Sequence, residues 1–340
     1  MRVLLVGSNE GGALELIYIK YLRELISDVE LFSLNDHYFK GRSLFTRIIN
    51  RVCKLLIYYK IKKNLIKTIE TYNPDIVWIF KGVEIYPETL KKIKKISKAK
   101  LVNYNPDHPF IRVFRASGGK NVEDCVPFYD LHFCYSLDLS KEIIDKFKIP
   151  TVRLPFGFEL DEKTYNRVEE QEEIKKVAFV GTPDNDRKNV IELLIKNKIY
   201  IDVYGYGWNK WLKENEYSTI FNEVEKEDFW RTLRKYRVQL NIFRLQNTGS
   251  HNMRTFEIPA VGGIELAPYS KEHSSFFEDG NEIFLYRNSE ELIENINLLL
   301  SASDQTVRNI RDACRKRSIE NKYSYKHRTQ IVYNEFVKLV

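Results

Sequence analysis

Short apolar runs alternate with amphipathic segments along the first half of the chain. The apolar runs are rich in β-branched and aromatic residues, as strands are. Turn residues follow several of them, and Asn73-Pro74 introduces one. Five runs are predicted strands: Arg2–Val6, Glu30–Phe32, Ile76–Phe80, Leu101–Tyr104 and Leu131–Tyr135. Helices are expected from about Ala13, over Phe45–Glu70, and from Pro87, because proline is favoured at the first helical position. Strands that alternate with helices predict a parallel sheet.

The acidic stretch ELDEKTYNRVEEQEE interrupts this alternation and is poor in apolar residues. We interpret residues 159–175 as a linker. The alternation then resumes with predicted strands at Lys176–Val180, Tyr200–Tyr204, Val238–Phe243 and Ile264–Ala267. Helices are expected from about Arg187, over Glu290–Leu300, over Thr306–Glu320 and from about Ser324. The sequence therefore predicts an N-terminal domain over 1–158, a C-terminal domain over 176–322, and a last helix over 323–340 that crosses back to the first domain.

The composition suits a folded protein of two domains. The chain has 340 residues, of which 43% are hydrophobic and 13% aromatic, enough to build two cores. No run of about 18 apolar residues occurs, and the first residues do not resemble a signal peptide. The four cysteines have no CxxC spacing, so we expect reduced thiols in a cytoplasmic protein.

Two loops follow predicted strands and precede helices. Residues 7–12 (GSNEGG) contain three glycines, which permit close approach of a ligand to the backbone. This loop is either an ordinary turn or part of a donor-phosphate or acceptor site. Residues 181–188 (GTPDNDRK) place Arg187 and Lys188 at a helix start, where the macrodipole favours acids instead. These two side chains are either a solvated pair or ligands of a diphosphate. Asp184 and Asp186 are interpreted as helix caps and not as a DxD metal motif.

The segment Tyr204-Gly205-Tyr206-Gly207-Trp208 ends a predicted strand. Glycines at the carboxyl end of a strand open the crevice where α/β proteins bind nucleotides. The two tyrosines either stack on a base or pack in the core.

The segment from Asn252 to Gly263 (NMRTFEIPAVGG) carries the most specific signal. Arg254 and Glu257 are three residues apart, so one helical turn presents both on the same face. A cation for a diphosphate and a carboxylate for a ribose thus share one helix. The preceding residues 241–252 (NIFRLQNTGSHN) close a strand and lead into this helix.

These residues resemble the CgeB-like group of GT-B glycosyltransferases, the spore-maturation-protein-like proteins with a glycosyl transferase family 1-type C-terminal domain. The resemblance covers about residues 176–330, and only patches of the first domain. It implies the GT-B fold, with two Rossmann-like α/β domains facing a central cleft. It implies that a nucleotide-sugar donor is bound by Gly181, Arg187, Lys188, Tyr204, Gly205, Tyr206, Arg244, Gly249, Ser250, His251, Asn252, Arg254 and Glu257.

One departure from the family pattern concerns the paired glutamates of many GT-B enzymes. Glu257 and Glu265 have the E-x7-E spacing, but FEIPAVGG aligns Glu257 with the second family glutamate, the ribose ligand. The first would then fall at Gly249, and Glu265 is incidental. The retaining chemistry of those enzymes is therefore unsupported.

The loop Asn103–Phe110 (NYNPDHPF) in the first domain is the candidate catalytic segment. An inverting transferase needs a base for the acceptor hydroxyl, worth roughly 10²–10⁴-fold in rate. Asp107 or His108 is the expected catalytic residue. The alternative is a structural turn in which Asp107 caps backbone amides.

Positive charge is concentrated in the first half. Residues 1–160 carry 26 basic against 18 acidic residues, whereas residues 161–340 carry 28 against 29. The basic helix 45–70 has apolar residues at helical spacing: Phe45, Ile48, Ile49, Val52, Leu55 and Leu56. This stripe either packs in the core below a solvated basic face, or the helix contacts an anionic membrane or a lipid-phosphate acceptor. Nucleic acid is not an expected partner, since no recognition motif occurs.

The sequence thus predicts a glycosyltransferase that uses a nucleoside diphosphate sugar without metal or other cofactor. UDP-sugar is favoured over GDP- or dTDP-sugar, and the acceptor is a glycan, a lipid-linked molecule or a protein. The expected location is cytoplasmic, with peripheral contact at the inner membrane face. The alternatives are a nucleotide-sugar-binding or assembly protein that has lost transfer activity and, less favoured, a nucleic-acid-binding protein.

Overall fold

The computed structural model describes residues 1–41, 43–111 and 119–340, and leaves out the side chain of Gln246. The chain forms two compact units. The first unit joins Met1–Pro155 to Tyr325–Val340, and the second unit is Phe156–Ser324. The last predicted helix thus belongs to the first unit.

The first unit contains a six-stranded parallel sheet of order β2-β1-β3-β4-β5-β6. Its strands are β1 (Arg2–Gly7), β2 (Asp28–Ser33), β3 (Ile76–Phe80), β4 (Lys100–Tyr104), β5 (Leu131–Cys134) and β6 (Thr151–Arg153). All five residues of β3 are buried, as expected for a central strand of a sheet covered on both faces. After β1 the chain adds β2 on one side of that strand. It then crosses to the other side, where β3 and the later strands follow in order. The topological switch point therefore lies between β1 and β3.

The helices of the first unit connect these strands and include the C-terminal segment. They are α1 (Leu14–Leu25), α2 (Leu44–Val52), α3 (Lys54–Tyr72), α4 (Pro87–Ile96), α5 (Lys120–Cys125), α6 (Leu137–Phe147) and α13 (Tyr325–Leu339). Helix α13 packs against α1, and its Tyr325 ring lies 5.6 Å from that of Tyr18. Two caps fix α6: Ser136 accepts a hydrogen bond from Leu139 N, and Lys148 ends the helix in the left-handed conformation.

The second unit contains another six-stranded parallel sheet, of order β12-β11-β10-β7-β8-β9. Its strands are β7 (Ile174–Val180), β8 (Ile201–Tyr204), β9 (Ser218–Phe221), β10 (Tyr236–Leu240), β11 (Glu265–Pro268) and β12 (Phe284–Tyr286). The switch point here lies between β7 and β10. The predicted α/β class, with parallel sheets and interleaved helices, is confirmed.

The helices of the second unit are α7 (Glu162–Glu169), α8 (Asn185–Lys196), α9 (Lys226–Lys235), α10 (Arg254–Ala260), α11 (Ser289–Ser301) and α12 (Asp304–Glu320). The stretch predicted as a linker, 159–175, lies in this unit and contains α7. Its Glu173 forms ion pairs with Arg237 and Arg311, whose guanidinium groups are buried. Helix α7 is tied to α9 by the Arg167–Glu227 pair, with Nε and Oε2 2.6 Å apart.

The basic helix differs from its predicted form in two ways. It is divided at Cys53 into α2 and α3, although the hydrogen bonds of Cys53 N to Ile49 O and of Ile57 N to Cys53 O keep the backbone nearly continuous. The interpretation of its apolar stripe as core-packed is wrong, because most of these side chains are exposed. A different face of α3 is buried, formed by Ile57, Tyr58, Ile61, Leu65 and Ile69.

Candidate functional site

The carboxyl ends of β7 and β10 bring basic side chains together at the switch point of the second unit. The loop after β7 leads to the start of α8, and the residues after β10 lead towards α10. Ligands of open α/β sheets bind at this place, because the two chain directions diverge there and leave a crevice. The residues that meet here are Thr182, Asp184, Arg187, Ile242, Arg244, Arg254 and Glu257.

Arg187 joins the two strand ends. Asp184 caps α8 by accepting a hydrogen bond from Arg187 N at 2.9 Å. The guanidinium donates to Thr182 O at 2.9 Å and to Ile242 O at 3.2 and 3.3 Å. Burial lowers the pKa of Arg187 to about 10, which the Asp184 carboxylate opposes and the charges of Arg244 and Arg254 reinforce. Arg187 is therefore still cationic at neutral pH, and two further arginines are close enough to influence it.

Arg244 lies beside the same loop. Its Nη2 donates to Thr182 Oγ1 at 2.6 Å, and its Nε is 3.9 Å from Asp184 Oδ2. One carboxylate, Asp184, thus faces both Arg187 and Arg244. The side chain of Arg244 is about one third exposed, so part of its guanidinium can still meet a ligand.

Arg254 and Glu257 occupy one face of α10, as their spacing predicts. Their side chains form an ion pair, and the Arg254 guanidinium lies over the Phe229 ring at 4.5 Å. Glu257 is nearly buried. Within the described part of the chain, the buried Nε of Arg254 finds no hydrogen-bond acceptor. A buried N–H without an acceptor costs free energy.

Lys188 departs from this group. It lies in the first turn of α8, and its Nζ forms an ion pair with Glu192 Oε1 of the same helix at 3.3 Å. This contact is the ordinary i,i+4 pair of a solvated helix face.

A buried amide pair fixes the chain between β10 and α10. Asn252 Nδ2 donates to Asn241 Oδ1 at 2.8 Å, and Asn241 Nδ2 donates to Asn252 Oδ1 at 3.1 Å. Asn252 Oδ1 also accepts from Thr255 N, in the first turn of α10. Asn241 Nδ2 donates in addition to Glu265 Oε1 at 2.6 Å, and Glu265 is fully buried. Glu265 is thus not incidental to the fold, since its carboxylate holds the amide that positions α10.

Ser250 and His251 are buried beside Glu272. Ser250 Oγ donates to Glu272 Oε2 at 2.6 Å, and His251 Nδ1 lies 3.7 Å from the same oxygen. His251 Nε2 accepts a hydrogen bond from Phe156 N at 3.4 Å. Rings of Phe156, Phe256 and Phe276 surround the imidazole at 5.0–5.6 Å. These contacts favour a packing role. Gly249 has a φ of 80°, and nothing lies within 4 Å of where its Cβ would be.

Tyr204 is buried and Tyr206 is exposed. The Tyr204 ring stacks on Phe221 at 4.6 Å, and its hydroxyl is 2.7 Å from that of Tyr236, which donates to Asp202. Tyr204, the last residue of β8, therefore packs in the core, whereas the exposed Tyr206 is free to meet a base.

Gly205 is a glycine because the loop after β8 closely approaches the loop after β7. A Cβ on Gly205, whose φ is 150°, would lie 2.2 Å from Gly181 O. The same carbonyl accepts a hydrogen bond from Trp208 Nε1 at 2.7 Å. This contact fixes the loop after β8 against the loop after β7.

The predicted catalytic loop follows β4 in the first unit. Asp107 N donates to Asn105 Oδ1 at 3.0 Å, and Asp107 Oδ2 forms an ion pair with Lys81 Nζ at 2.9 Å. Lys81 follows β3, so this pair joins two neighbouring strand ends. Sequence reasoning missed Lys81, whose only local signal is its position directly after a buried strand.

His108 lies in a less exposed position than its neighbour. Its Nδ1 accepts from Phe110 N at 3.4 Å, and its Nε2 is 3.6 Å from Glu142 Oε2. Burial lowers the pKa of His108, while Glu142 opposes the shift and Lys146 reinforces it. The imidazole is thus neutral at pH 7, and both of its nitrogens face protein groups.

The loop Gly7–Gly12 lies at the switch point of the first unit and contains no basic residue. Glu15, in the first turn of α1, accepts a hydrogen bond from Ser8 N at 3.0 Å. Burial raises the pKa of Glu15, against the effects of that hydrogen bond and of Lys81. The Glu15 carboxylate thus braces this loop, which stays a predicted contact of the donor phosphates or the acceptor.

Residues 1–41, 43–111 and 119–340 contain no group of three or more His, Cys, Asp or Glu side chains placed to hold a metal ion. Over the same ranges, no helix is both long enough and apolar enough to cross a bilayer.

The comparisons with known proteins agree with this architecture. The family model described as glycosyl transferase-like matches residues 187–334, a range that includes Arg187, Arg244, Arg254 and Glu257. A search of curated proteins found no match. HepE from Anabaena, solved with UDP-glucose, has a TM-score of 0.69 and is 12% identical over 99% of this chain and 100% of that one. The chain has the GT-B fold.

Two other solved structures are similarly close. A glycosyltransferase from Rickettsia africae has a TM-score of 0.68 at 12% identity, over 99% of this chain and 98% of that one. The UDP-forming α,α-trehalose-phosphate synthase from Burkholderia xenovorans has a TM-score of 0.66 at 11% identity, over 100% and 99%. At these identities the likeness establishes the fold alone. The family match and the fold together support the predicted GT-B glycosyltransferase.

Proposed function

We propose that this protein transfers a sugar from a nucleoside diphosphate sugar, as the CgeB-like resemblance implies. One observation carries the proposal: Arg187, Arg244 and Arg254 converge at the switch point between β7 and β10. Asp184 faces Arg187 and Arg244, and Glu257 pairs with Arg254, so two carboxylates meet three guanidinium groups and leave an excess of positive charge for an anionic ligand. A diphosphate is the anion that the CgeB-like resemblance implies.

These residues would stabilise the leaving diphosphate more than any other part of the reacting molecules. Negative charge develops on it as the glycosidic bond to the sugar breaks, and arginines already fixed by hydrogen bonds stabilise that charge without rearranging. The guanidinium fork also suits two phosphate oxygens at once. Glu257 would accept hydrogen bonds from the ribose hydroxyls. We propose that this arrangement replaces a metal ion.

Asp107 is the better candidate for the catalytic base in the first unit. Its carboxylate is partly exposed and can accept a proton from an acceptor hydroxyl. Both nitrogens of His108 face other groups, so this side chain has to release a contact before it acts. His108 remains the second candidate.

The donor is proposed to be a UDP-sugar, with GDP- and dTDP-sugars as alternatives. HepE is described in complex with UDP-glucose, and the trehalose-phosphate synthase is described as UDP-forming. The proposed acceptor is a glycan, a lipid-linked molecule or a protein, in the cytoplasm or at the inner membrane face.

Thermal unfolding against UDP, GDP, dTDP, CDP and ADP, with and without EDTA, tests the donor site. A ligand at about 100 times its dissociation constant adds roughly 2.7 kcal/mol, which raises the midpoint by several degrees. One diphosphate that raises the midpoint equally in EDTA supports a metal-free donor site. Failure of all five would contradict the proposal.

A second candidate is a protein that binds the nucleotide sugar without transferring it. Gly249 occupies the position where the family pattern has its first glutamate, and its surroundings are open. Release of UDP from a UDP-sugar in the presence of acceptor glycans separates the two candidates. Binding without release, over a panel of donors, would favour the second.

A further inference from the structure

An apolar stripe runs along the outer face of α2 and the start of α3. Seven large side chains form it, and each is 50–77% exposed: Leu44, Phe45, Ile48, Val52, Leu55, Leu56 and Tyr59. Scattered exposed apolar residues are ordinary, whereas a contiguous set marks a surface that binds something.

The stripe is continuous although the helix is divided at Cys53. Its members recur at the 3.6-residue period, and the nearly unbroken backbone keeps them on one side over about 22 Å. The opposite face anchors the helix, since Ile57, Ile61, Leu65 and Ile69 lie in the core of the first unit. The fold therefore does not need the stripe.

The charge beside the stripe is of one sign. Between Asp36 and Glu70 the sequence has nine lysines and arginines and no acidic residue. Arg42 lies outside the described residues. Arg47, Arg51, Lys54, Lys60 and Lys63 are exposed on the same two helices.

We propose that this stripe and its basic flanks dock the protein onto an anionic lipid surface. A helix with an apolar face and basic residues beside it lies in the plane of the interface, with the apolar side chains among the acyl chains. The basic residues then meet lipid phosphates.

Other partners fit these features less well. Nucleic acid binding relies on phosphate contacts and gains little from exposed Leu, Ile, Val and Phe side chains. A second copy that paired stripe to stripe would bring two basic flanks together, which costs free energy. An anionic bilayer satisfies the apolar stripe and the charge at once.

Flotation of the full chain with vesicles tests the proposal. We expect binding to vesicles of phosphatidylcholine with phosphatidylglycerol, weaker binding at high salt, and little binding to phosphatidylcholine alone. The double variant Phe45→Glu/Leu55→Glu should bind at least about tenfold more weakly. Leu298→Glu, a change of equal chemistry at an exposed residue of α11, should bind as the wild type does. Matching thermal midpoints for the three proteins establish that the double variant is folded.

The basic flank is tested separately. Arg47→Gln and Arg51→Gln each remove one exposed charge, and each should weaken binding to the anionic vesicles by roughly fivefold. Arg308→Gln on α12 is the matched control. Equal losses for the control would show general attraction to negative charge and contradict a specific surface.

Insertion is tested with Phe45→Trp, whose fluorescence should shift to shorter wavelength on anionic vesicles, while Leu298→Trp should not shift. Absence of vesicle binding by the wild type would overturn the proposal. A dimer in solution that Phe45→Glu/Leu55→Glu dissociates, without vesicle binding, would instead assign the stripe to contact between copies. Arg254→Ala should bind vesicles normally, so this test is independent of the donor site.

Discussion

The two sheets have the same kind of switch point, and different side chains lie at the strand ends around it. In the second unit, Arg187, Arg244 and Arg254 gather at the ends of β7 and β10. In the first unit, Glu15 braces the loop after β1, and Asp107 pairs with Lys81 beyond β3 and β4. Topology places a crevice at each edge, and the residue types decide what each crevice can bind. The edge of the second sheet that carries the three arginines, the basic edge, suits a diphosphate. The edge of the first sheet that carries the partly exposed Asp107 carboxylate suits proton transfer.

Replacing the proposed base is the strongest way to test this division. Asp107→Asn keeps the shape and removes the proton acceptor, so kcat should fall by about 10²–10⁴-fold with the donor dissociation constant unchanged. UDP release measured in steady state gives kcat, and titration of UDP gives binding. Asp145→Asn, on the exposed side of α6, is the control. An unchanged kcat for Asp107→Asn would remove Asp107 from the mechanism.

The loops at the two edges should differ in their tolerance of a methyl group. Gly205→Ala places a Cβ 2.2 Å from Gly181 O in the second unit, so the free energy of unfolding should fall by about 3 kcal/mol. Gly11→Ala meets nothing within 4 Å in the first unit and should be nearly neutral. Urea denaturation of both variants measures the difference. If Gly205→Ala and Gly11→Ala had the same free energy of unfolding, the loops after β7 and β8 would not approach each other as closely as described.

Removing one cation from the basic edge should weaken donor binding. Arg254→Ala deletes a charged hydrogen-bond donor, and we expect the UDP dissociation constant to rise about 10- to 100-fold. Arg254→Lys should lose less, because it retains the charge but not the fork. Arg308→Ala is the matched control. Unaltered UDP affinity in Arg254→Ala would contradict the diphosphate site.

Acid should destabilise the first unit through His132. Burial lowers the pKa of His132 to about 4, while the hydrogen bond from its Nε2 to Val126 O at 3.0 Å acts in the opposite direction. The unfolded chain takes up this proton near pH 6.5 and the folded chain only near pH 4, so stability is lost as the pH falls through that window. The loss between pH 7 and pH 5.5 should be about 1 kcal/mol.

Denaturation of the wild type and His132→Gln at both pH values checks this. The variant should lose less stability on acidification, whatever its stability at pH 7. A loss as large as that of the wild type would assign the acid sensitivity to other groups.

The sequence predicted the basic edge better than the surroundings of that edge. Spacing alone put Arg254 and Glu257 on one helix face, and both lie there. It did not separate Lys188, which pairs with Glu192, from Arg187, which joins two strand ends. Adjacent residues such as Arg187 and Lys188 point in different directions on a helix. The position of the chain after β10 therefore decides which of the two side chains is enclosed.

The hydrogen-bond partners of buried polar side chains could not be predicted from the sequence either. Asn241 directly follows β10 and Glu265 begins β11, so only the register of these two strands brings their side chains together. His251 is a predicted donor ligand, and the sequence did not indicate the three phenylalanine rings that surround it. Such contacts depend on side chains from several elements, which no local pattern records.

The alternation of strands and helices could be predicted from the sequence, because apolar periodicity is a local property that backbone geometry converts into elements. The residues that share a helix face could be predicted in the same way. Which of these faces meets the core depends on packing between elements that are distant in the chain. The basic helix has two apolar faces, one with Phe45 and Leu55 and another with Ile57 and Ile61, and either can be buried by the same hydrophobic effect. The sheet of the first unit covers the second of these faces and leaves the first in solvent.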